Sequence, residues 1–178
     1  MLSRRQQLWL AATAVVAGTA AVAVARRTPL APLRTVPYVD LDRYLGRWYE
    51  IARLPTRFER GLTHVTAEYG RRPDGTIRVL NRGRRSQKTE EAEGTATVAD
   101  HLTNARLKVS FFWPFRGDYW ILELDPNYQW ALVGEPGRDY LWILSRQPRL
   151  NPDVVRNLTA IARLEGFPVE KLHFTRQE

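Results

Sequence analysis

Short segments with β-strand character dominate the chain from Val39 onward, and turn signals separate them. Pro73-Asp74-Gly75 is one such signal, because proline presets φ and glycine accepts a positive φ. Eight antiparallel strands in up-and-down order favour a closed barrel whose interior can hold one small ligand. The predicted strands are Arg47–Arg53, His64–Tyr69, Thr76–Asn81, Glu93–Asp100, Arg106–Phe112, Tyr119–Asp125, Trp130–Gly134 and Tyr140–Arg146.

Apolar residues alternate with polar ones in several of these strands. Leu107, Val109 and Phe111 share one face of their strand, which predicts that this face lines the interior. The segments Tyr119–Leu124 and Tyr140–Leu144 are apolar on both faces. Their second face therefore has to pack beneath another element.

A single amphipathic helix near the C-terminus can cover that second face. Asn151 is a typical N-cap, Pro152 suits the first helical position, and Gly166 and Pro168 end the pattern. Apolar residues recur at helical spacing in between; they are Val154, Leu158, Ile161 and Ala162. The sequence thus predicts an all-β eight-stranded antiparallel barrel with one α-helix packed outside, followed by a short ninth strand, Lys171–Thr175.

The N-terminal region reads as a separate segment. Leu8–Ala25 is an uncharged run of 18 residues flanked by arginine pairs, which predicts an export signal or a membrane anchor over residues 1–27. Residues 28–37 contain three prolines and read as a linker, so the barrel domain is expected to span residues 38–178. Both interpretations of the first segment place the protein in a bacterial cell envelope, either periplasmic or membrane-anchored.

Cysteine content and charge exclude several kinds of site and partner. The chain has no cysteine, which excludes disulfides and thiolate metal sites and argues against a cysteine-anchored lipoprotein. The net charge is +8, but half of it comes from four arginines in residues 1–27. The small excess that remains does not indicate nucleic acid binding and suits contact with a membrane surface at least as well.

Three short motifs resemble the signatures of the lipocalin family. Gly46-x-Trp48-Tyr49 opens the first strand, Arg138-Asp139-Tyr140 resembles the family's Thr-Asp-Tyr turn, and Arg146 resembles its lone arginine. Longer segments resemble the group that contains the bacterial lipocalins and apolipoprotein D. They are Arg43–Arg53, Arg57–Leu62, Leu107–Phe115 and Asp139–Arg146.

This resemblance implies a lipocalin barrel with a lipid or fatty acid as its ligand. It also implies that Arg146 packs across Trp48 and closes the barrel floor, where a cation–π contact is favourable. The signature residues are therefore expected to support the fold rather than to bind ligand. They are Gly46, Trp48, Tyr49, Asp139, Tyr140 and Arg146.

Ligand contacts are expected from inward positions nearer the open end. The candidates are Val98, Phe111, Arg116, Tyr119, Ile121, Trp130 and Trp142. The pattern leaves open whether Tyr119 or Trp120, and whether Trp130 or Ala131, faces inward. Phe58 and the aromatic loop 112–116 are expected over the mouth, where the loop either folds on the rim or meets a membrane surface with Arg116 at a phosphate.

The favoured function is a non-enzymatic carrier for a fatty acid or (lyso)phospholipid, acting in lipid storage or transport for envelope maintenance. One alternative is an isomerase or epoxide-opening enzyme on the same barrel, with Glu123 as an inward acid or base beside Tyr119 and Ile121. Another is a haem or pigment binder. No metal site or cofactor is predicted, since His64, His101 and His173 share no metal-ligand spacing.

Overall fold

The computed structural model describes residues 31–56, 59–112 and 114–178. Strands β1 to β8 pair antiparallel in chain order, and β1 also pairs with β8, so the sheet closes into an eight-stranded barrel. The predicted fold is confirmed. The strands are β1 Gly46–Arg53, β2 Thr63–Arg71, β3 Ile77–Arg85, β4 Lys88–Val98, β5 Arg106–Phe112, β6 Phe115–Leu124, β7 Trp130–Gly134, β8 Leu141–Ser145 and β9 His173–Phe174. The helices are α1 Leu41–Tyr44, α2 Pro152–Leu164 and a 3-10 turn, Val169–Lys171.

Strands β3 and β4 extend well beyond their predicted bounds, through a charged stretch that carries little apolar signal. Charged pairs across the two strands replace hydrophobic alternation there. Arg82 pairs with Glu91 at 2.8 Å, and Arg85 pairs with Glu90 at 2.8 Å. Opposite charges on facing strands stabilise a sheet as apolar pairs do, but they leave no hydrophobic pattern in the sequence.

The aromatic segment after β5 is a tight hairpin rather than the predicted loop. Strand β6 already begins at Phe115, which lies opposite Phe112 in the β5–β6 ladder. Strand β5 ends at Phe112, only three positions before Phe115 in the sequence. Trp113 and Phe58, both expected at the mouth, lie outside the described residues.

Apolar residues pack in two layers, one inside the barrel and one beneath α2. Trp48 and Ile121 are fully buried in the inner layer, at the closed end. In the outer layer, Leu132 of the barrel packs with Leu158 and Ala162 of the helix. Helix α2 begins as predicted, because the Asn151 side chain accepts a hydrogen bond of 2.8 Å from the Asp153 amide.

A bulge in β6 reverses the facing of its last residues. Ile121 lies opposite Val133, whereas Glu123 lies opposite Leu132, so Leu122 is an extra residue in the ladder. Leu132 belongs to the outer layer, and Glu123 therefore faces outward with it. The prediction that Glu123 shares the inner face with Tyr119 and Ile121 is wrong for this reason.

Residues 31–37, predicted as a linker, lie against the barrel. The Val36 amide donates to the Ile121 carbonyl at 3.0 Å, Leu33 is buried, and the Ala31 carbonyl accepts a hydrogen bond of 2.6 Å from Arg138. The predicted export signal or anchor, residues 1–27, falls outside the described residues. Within the described part of the chain, none of the helices has the length and apolar character needed to cross a membrane.

Candidate functional site

A cavity of about 450 Å³ occupies the upper part of the barrel and opens beside the β5–β6 hairpin. Four of the seven predicted ligand contacts line it: Phe111, Arg116, Tyr119 and Trp142. The open choice at Tyr119 and Trp120 is resolved, since Tyr119 faces the cavity and Trp120 packs in the outer layer.

The other three predicted contacts lie elsewhere. Ile121 is inward but belongs to the packed floor, with no exposed surface. Val98 ends β4 opposite Leu107, away from the cavity. Trp130 packs in the outer layer beside α2, while Ala131 takes the inward position. The expectation that Trp130 faces the cavity is corrected, because the small residue and not the large one lies inside at this point of β7.

The floor consists of Trp48 beneath the Arg146 guanidinium. The guanidinium carbon lies 3.8 Å from the centre of the Trp48 ring, and Trp48 has no exposed surface. Arg146 also donates to the carbonyls of Arg47, Arg43 and Tyr128 at 2.8, 2.7 and 3.2 Å. One cation thus covers the ring and ties three chain segments together, as the family resemblance implied.

The turn that completes this floor runs from Asp125 to Tyr128 and is not Arg138-Asp139-Tyr140, the segment that resembles the family's Thr-Asp-Tyr turn. The Tyr128 hydroxyl accepts a hydrogen bond of 2.8 Å from the Asp40 amide, and the Arg43 guanidinium lies 4.1 Å from the Tyr128 ring centre. Asp125 starts this turn and accepts from the Asn127 amide at 3.0 Å. Arg138-Asp139-Tyr140 instead connects β7 to β8 at the opposite, open end of the barrel.

The remaining signature residues have separate positions. Asp139 is exposed, and Tyr140 lines the cavity near its mouth, stacked on Trp142 with 5.9 Å between ring centres. Gly46 adopts a φ of +88° beneath Arg146, a conformation that favours glycine. Tyr49 lies opposite Ser145, on the outward side of β1.

A buried ionic cluster forms part of the cavity wall. Glu50, Arg53 and Glu59 are each at most 3% exposed, and both glutamates line the cavity. Arg53 donates to the Glu50 carboxylate at 2.6 Å and to the Glu59 carbonyl at 2.6 Å. Thr56 donates to the Glu59 carboxylate at 2.7 Å, and Thr175 bonds to both Arg53 and Glu50.

Burial shifts the titration of this cluster. Desolvation and the neighbouring Glu50 charge raise the pKa of Glu59 to about 8. Desolvation also raises the pKa of Glu50, against the opposing effect of Arg53. One cation therefore faces two carboxyl groups, and Glu59 holds its proton near neutral pH.

Three tyrosine hydroxyls meet at the inner end of the cavity, and we call them the tyrosine ledge: Tyr44, Tyr69 and Tyr119. The Tyr44 and Tyr119 oxygens lie 2.7 Å apart, and the Tyr69 hydroxyl donates to that of Tyr119 at 3.0 Å. Burial raises the pKa of Tyr69 to about 12 and the pKa of the other two well above the ordinary value. The ledge therefore stays uncharged.

Sequence reasoning missed most of these polar groups. Glu50 follows Trp48 by two positions in a strand, and this spacing does predict that it faces inward. Nothing comparable marks Glu59, which lies after β1 and outside any strand. In the described part of the chain, no set of three or more acidic or histidine side chains is arranged to hold a metal ion.

The rim of the cavity is apolar and exposed. Phe111, Phe112 and Phe115 are 39%, 41% and 45% exposed. The rings of Phe112 and Phe115 stack with 6.2 Å between their centres. Arg116 follows this pair and also lines the mouth.

Comparison with known proteins assigns the family. The sequence model described as a lipocalin-like domain matches residues 39–177. The chain is 46% identical to the outer membrane lipoprotein Blc of Escherichia coli, over 92% of this chain and 95% of that protein. It is 35% identical to apolipoprotein D of Bos taurus, over 78% of this chain and 77% of that one.

Among solved structures, insecticyanin from the tobacco hornworm Manduca sexta superposes with a TM-score of 0.65. The match covers 83% of this chain and 84% of insecticyanin at 21% identity, so it supports the fold alone. The closed barrel, the floor of Trp48 and Arg146 and the sequence matches all support the same assignment. This chain belongs to the lipocalin family, in the group of the bacterial lipocalins and apolipoprotein D.

Proposed function

We propose that this protein is a carrier that holds one lipid molecule, a fatty acid or a (lyso)phospholipid, in its barrel. The cavity of about 450 Å³ carries this proposal, because small-molecule sites span about 300–1,000 Å³. Val65, Val79, Val109 and Leu144 contribute apolar wall to it. Each buried CH₂ group of an acyl chain contributes about 0.8 kcal/mol to binding.

A carrier is favoured over an enzyme on this barrel. The general acid or base of the enzyme hypothesis was Glu123, and the bulge in β6 turns that side chain to the outer face. Turnover of a lipid by the purified protein would contradict the carrier proposal.

We further propose that the protein acts in the cell envelope, in lipid storage or transport. The uncharged run Leu8–Ala25 and the relatives named as outer membrane lipoproteins support this location. Fractionation of host cells tests it. Recovery of the protein in the cytosolic fraction alone would contradict it.

The exposed phenylalanines of the rim are proposed to contact a membrane surface. Aromatic side chains favour the interface between lipid and water, and Arg116 lies where it can bind a lipid phosphate. Replacing Phe112 with serine is expected to weaken sedimentation with vesicles of anionic phospholipid. The same change at exposed Leu102, which is 89% exposed away from the rim, should have little effect. Equal loss in both variants would contradict a specific contact.

Lipid binding should change the intrinsic fluorescence through Trp142. Among the tryptophans that the structure describes, Trp142 alone lines the cavity, whereas Trp130 packs outside beneath α2. Trp142→Phe is therefore expected to remove most of the change that an acyl ligand produces. Trp130→Phe is the matched control and should retain it. A fluorescence titration checks this, and an unchanged signal in Trp142→Phe would place the ligand elsewhere.

The natural ligand can be identified directly. Mass spectrometry of lipids extracted from protein purified from its own host should find a fatty acid or a (lyso)phospholipid in stoichiometric amount. Failure of every fatty acid and (lyso)phospholipid tested to bind in solution would overturn the carrier proposal.

A further inference from the structure

Residues 31–40 form a strap that runs along the outside of the barrel from its open end to its floor. At the open end, the Ala31 carbonyl accepts a hydrogen bond of 2.6 Å from Arg138, in the turn between β7 and β8. At the floor, the Val39 amide donates at 2.8 Å to the Thr103 carbonyl, in the turn between β4 and β5. The chain that precedes Ala31 therefore leaves the barrel at the open end, beside the mouth of the cavity.

The exit point at Ala31 is held in place by the structure around it. Arg138 is buried and donates to the carbonyls of Ala31, Pro136 and Glu165, so it joins the strap, the β7–β8 turn and the end of α2. Leu33, two residues further along the strap, is buried in the outer apolar layer. The place where the N-terminal segment begins is thus fixed relative to the mouth.

Exposed apolar side chains occur at both ends of the barrel. Phe112 and Phe115 lie at the open end, and so does Leu164, which precedes Glu165 at the end of α2 and is 88% exposed. Leu102 is 89% exposed in the turn at the closed end. Exposure alone therefore does not decide which end meets a membrane.

The length of the chain before Ala31 does decide it. Arg26 and Arg27 follow the uncharged run directly and suit the phosphates of a bilayer surface, which leaves four steps from Arg27 to Ala31. An extended chain covers at most about 3.6 Å per residue, so this tether reaches about 14 Å. Strand β1 runs from the floor to the open end, and its eight residues extend over about 23 Å. Because the tether is shorter than the barrel, the closed end cannot turn toward a bilayer that holds the run.

The phenylalanine hairpin extends about as far as the tether does. Trp120 of β6 lies opposite Gly134, the last residue of β7, and Phe115 comes five positions earlier on β6. At about 3.3 Å per residue, the hairpin tip lies about 16 Å further along the strand than the end of β7. The hairpin tip and the start of the tether can therefore meet one bilayer surface.

The open end combines polar and apolar groups in a way that suits this surface. Arg116, Asp118 and Glu135 line the mouth, and the exposed rings of Phe112 and Phe115 stand beside them. A bilayer surface likewise places charged headgroups next to acyl chains. The polar mouth can face the headgroups while the rings enter the apolar layer.

We propose that the run Leu8–Ala25 remains in a membrane as an anchor, and that its short tether holds the open end of the barrel against that same bilayer, with Phe112, Phe115 and Leu164 at the surface. This proposal rests on the carrier function and on the proposed membrane contact of the rim, and it assigns the orientation that the anchor imposes. The cavity then opens toward the bilayer, and the protein takes up and returns lipid without leaving it.

Two exposed leucines provide a matched pair of reporters for this orientation. The chain has no cysteine, so Leu164→Cys and Leu102→Cys can each carry one environment-sensitive nitrobenzoxadiazole label. The full chain is reconstituted in vesicles of phosphatidylcholine and phosphatidylglycerol. We expect the label at position 164 to shift its emission to the blue and to be quenched by spin-labelled lipid. The label at position 102 should keep the emission that it has in water.

The outcomes separate this orientation from the carrier function. Equal quenching at the two positions, stronger quenching at position 102, or a label at position 164 that stays in water would overturn the orientation. Protein from host membranes whose intact mass lacks residues 1–27 would overturn the anchor. Lipid binding in solution, measured by titration, would stand in each of these cases, whereas its absence would overturn the carrier function itself.

A longer tether tests whether the anchor imposes the orientation. Inserting about 12 glycine and serine residues between Arg27 and Thr28 adds a mean span of about 20 Å. We expect sedimentation with vesicles to be unchanged and quenching at position 164 to fall. The same insert between Gln7 and Leu8 lengthens the chain on the other side of the run and should leave quenching unchanged. Full quenching with the longer tether would show that the rim alone orients the barrel and would overturn the role of the tether.

Discussion

Replacing Trp48 with alanine is expected to lower the free energy of unfolding by about 3–5 kcal/mol, the range for large-to-small changes at buried aromatic positions. Trp48 has no exposed surface, and its indole nitrogen donates to the Tyr44 carbonyl at 2.8 Å. The change also removes the ring on which Arg146 lies at 3.8 Å. Urea unfolding followed by circular dichroism measures the effect.

Two further variants test whether the loss depends on an aromatic ring at position 48 and on the location of that ring in the floor. Trp48→Phe keeps an aromatic surface beneath Arg146 and should cost clearly less than Trp48→Ala. Trp130→Ala removes a tryptophan that is only partly buried beneath α2 and should also cost less. Similar losses at Trp48 and Trp130 would argue against a special role of the floor. A marginal loss in Trp48→Ala would show that the floor repacks without it.

Replacing Arg53 with methionine is expected to cost about 3–5 kcal/mol, since removing one partner of a buried ion pair leaves the other charge without compensation. Arg53 is 2% exposed and contacts both Glu50 and Glu59. The exposed pair of Arg78 and Glu93, at 2.9 Å, provides the matched control. Arg78→Met should cost far less than Arg53→Met, because an exposed ion pair contributes little to stability. Thermal or urea unfolding of both variants tests the difference.

The loss in Arg53→Met should depend on pH with a defined sign. The pKa of Glu59 is raised from 4.5 to about 8 in the folded protein, so the folded state binds a proton there more tightly than the unfolded state does. Stability from this group is fully present below 4.5 and is lost as the pH rises through about 8. Without Arg53 the carboxyl groups repel more strongly, and the variant should be least stable at alkaline pH. Adding Glu50→Gln should restore much of the loss, and a loss independent of pH would contradict this account.

The barrel and its helix were predictable because each depends on a local pattern. Alternation in β5 and the Asn151-Pro152 helix start are visible in a few residues. The extended parts of β3 and β4 were not predictable in this way. Their pairing depends on contacts such as Arg82 with Glu91, which join residues from two different strands.

The site was predictable only in part, and the errors have a common origin. A single extra residue at Leu122 shifts the β6 ladder and turns Glu123 outward. Which of Trp130 and Ala131 faces inward depends on the residues that pack against each face of β7, inside the barrel and beneath α2. The Asp139-Tyr140 motif resembles a family signature in sequence, but it lies at the end of the barrel opposite Trp48.

The sequence by itself determined the family, the closed barrel, the covering helix and the stacking of Arg146 on Trp48. These features follow from strand periodicity, helix capping and motifs that are contiguous along the chain. Only the tertiary structure decided which polar groups enter the cavity and at what depth. The tyrosine ledge and the Glu50–Arg53–Glu59 cluster come from separate elements, and closure of the barrel brings both to one cavity. The depth of a side chain in a barrel depends on the register between strands and on bulges. Neither can be predicted from the sequence of one strand alone.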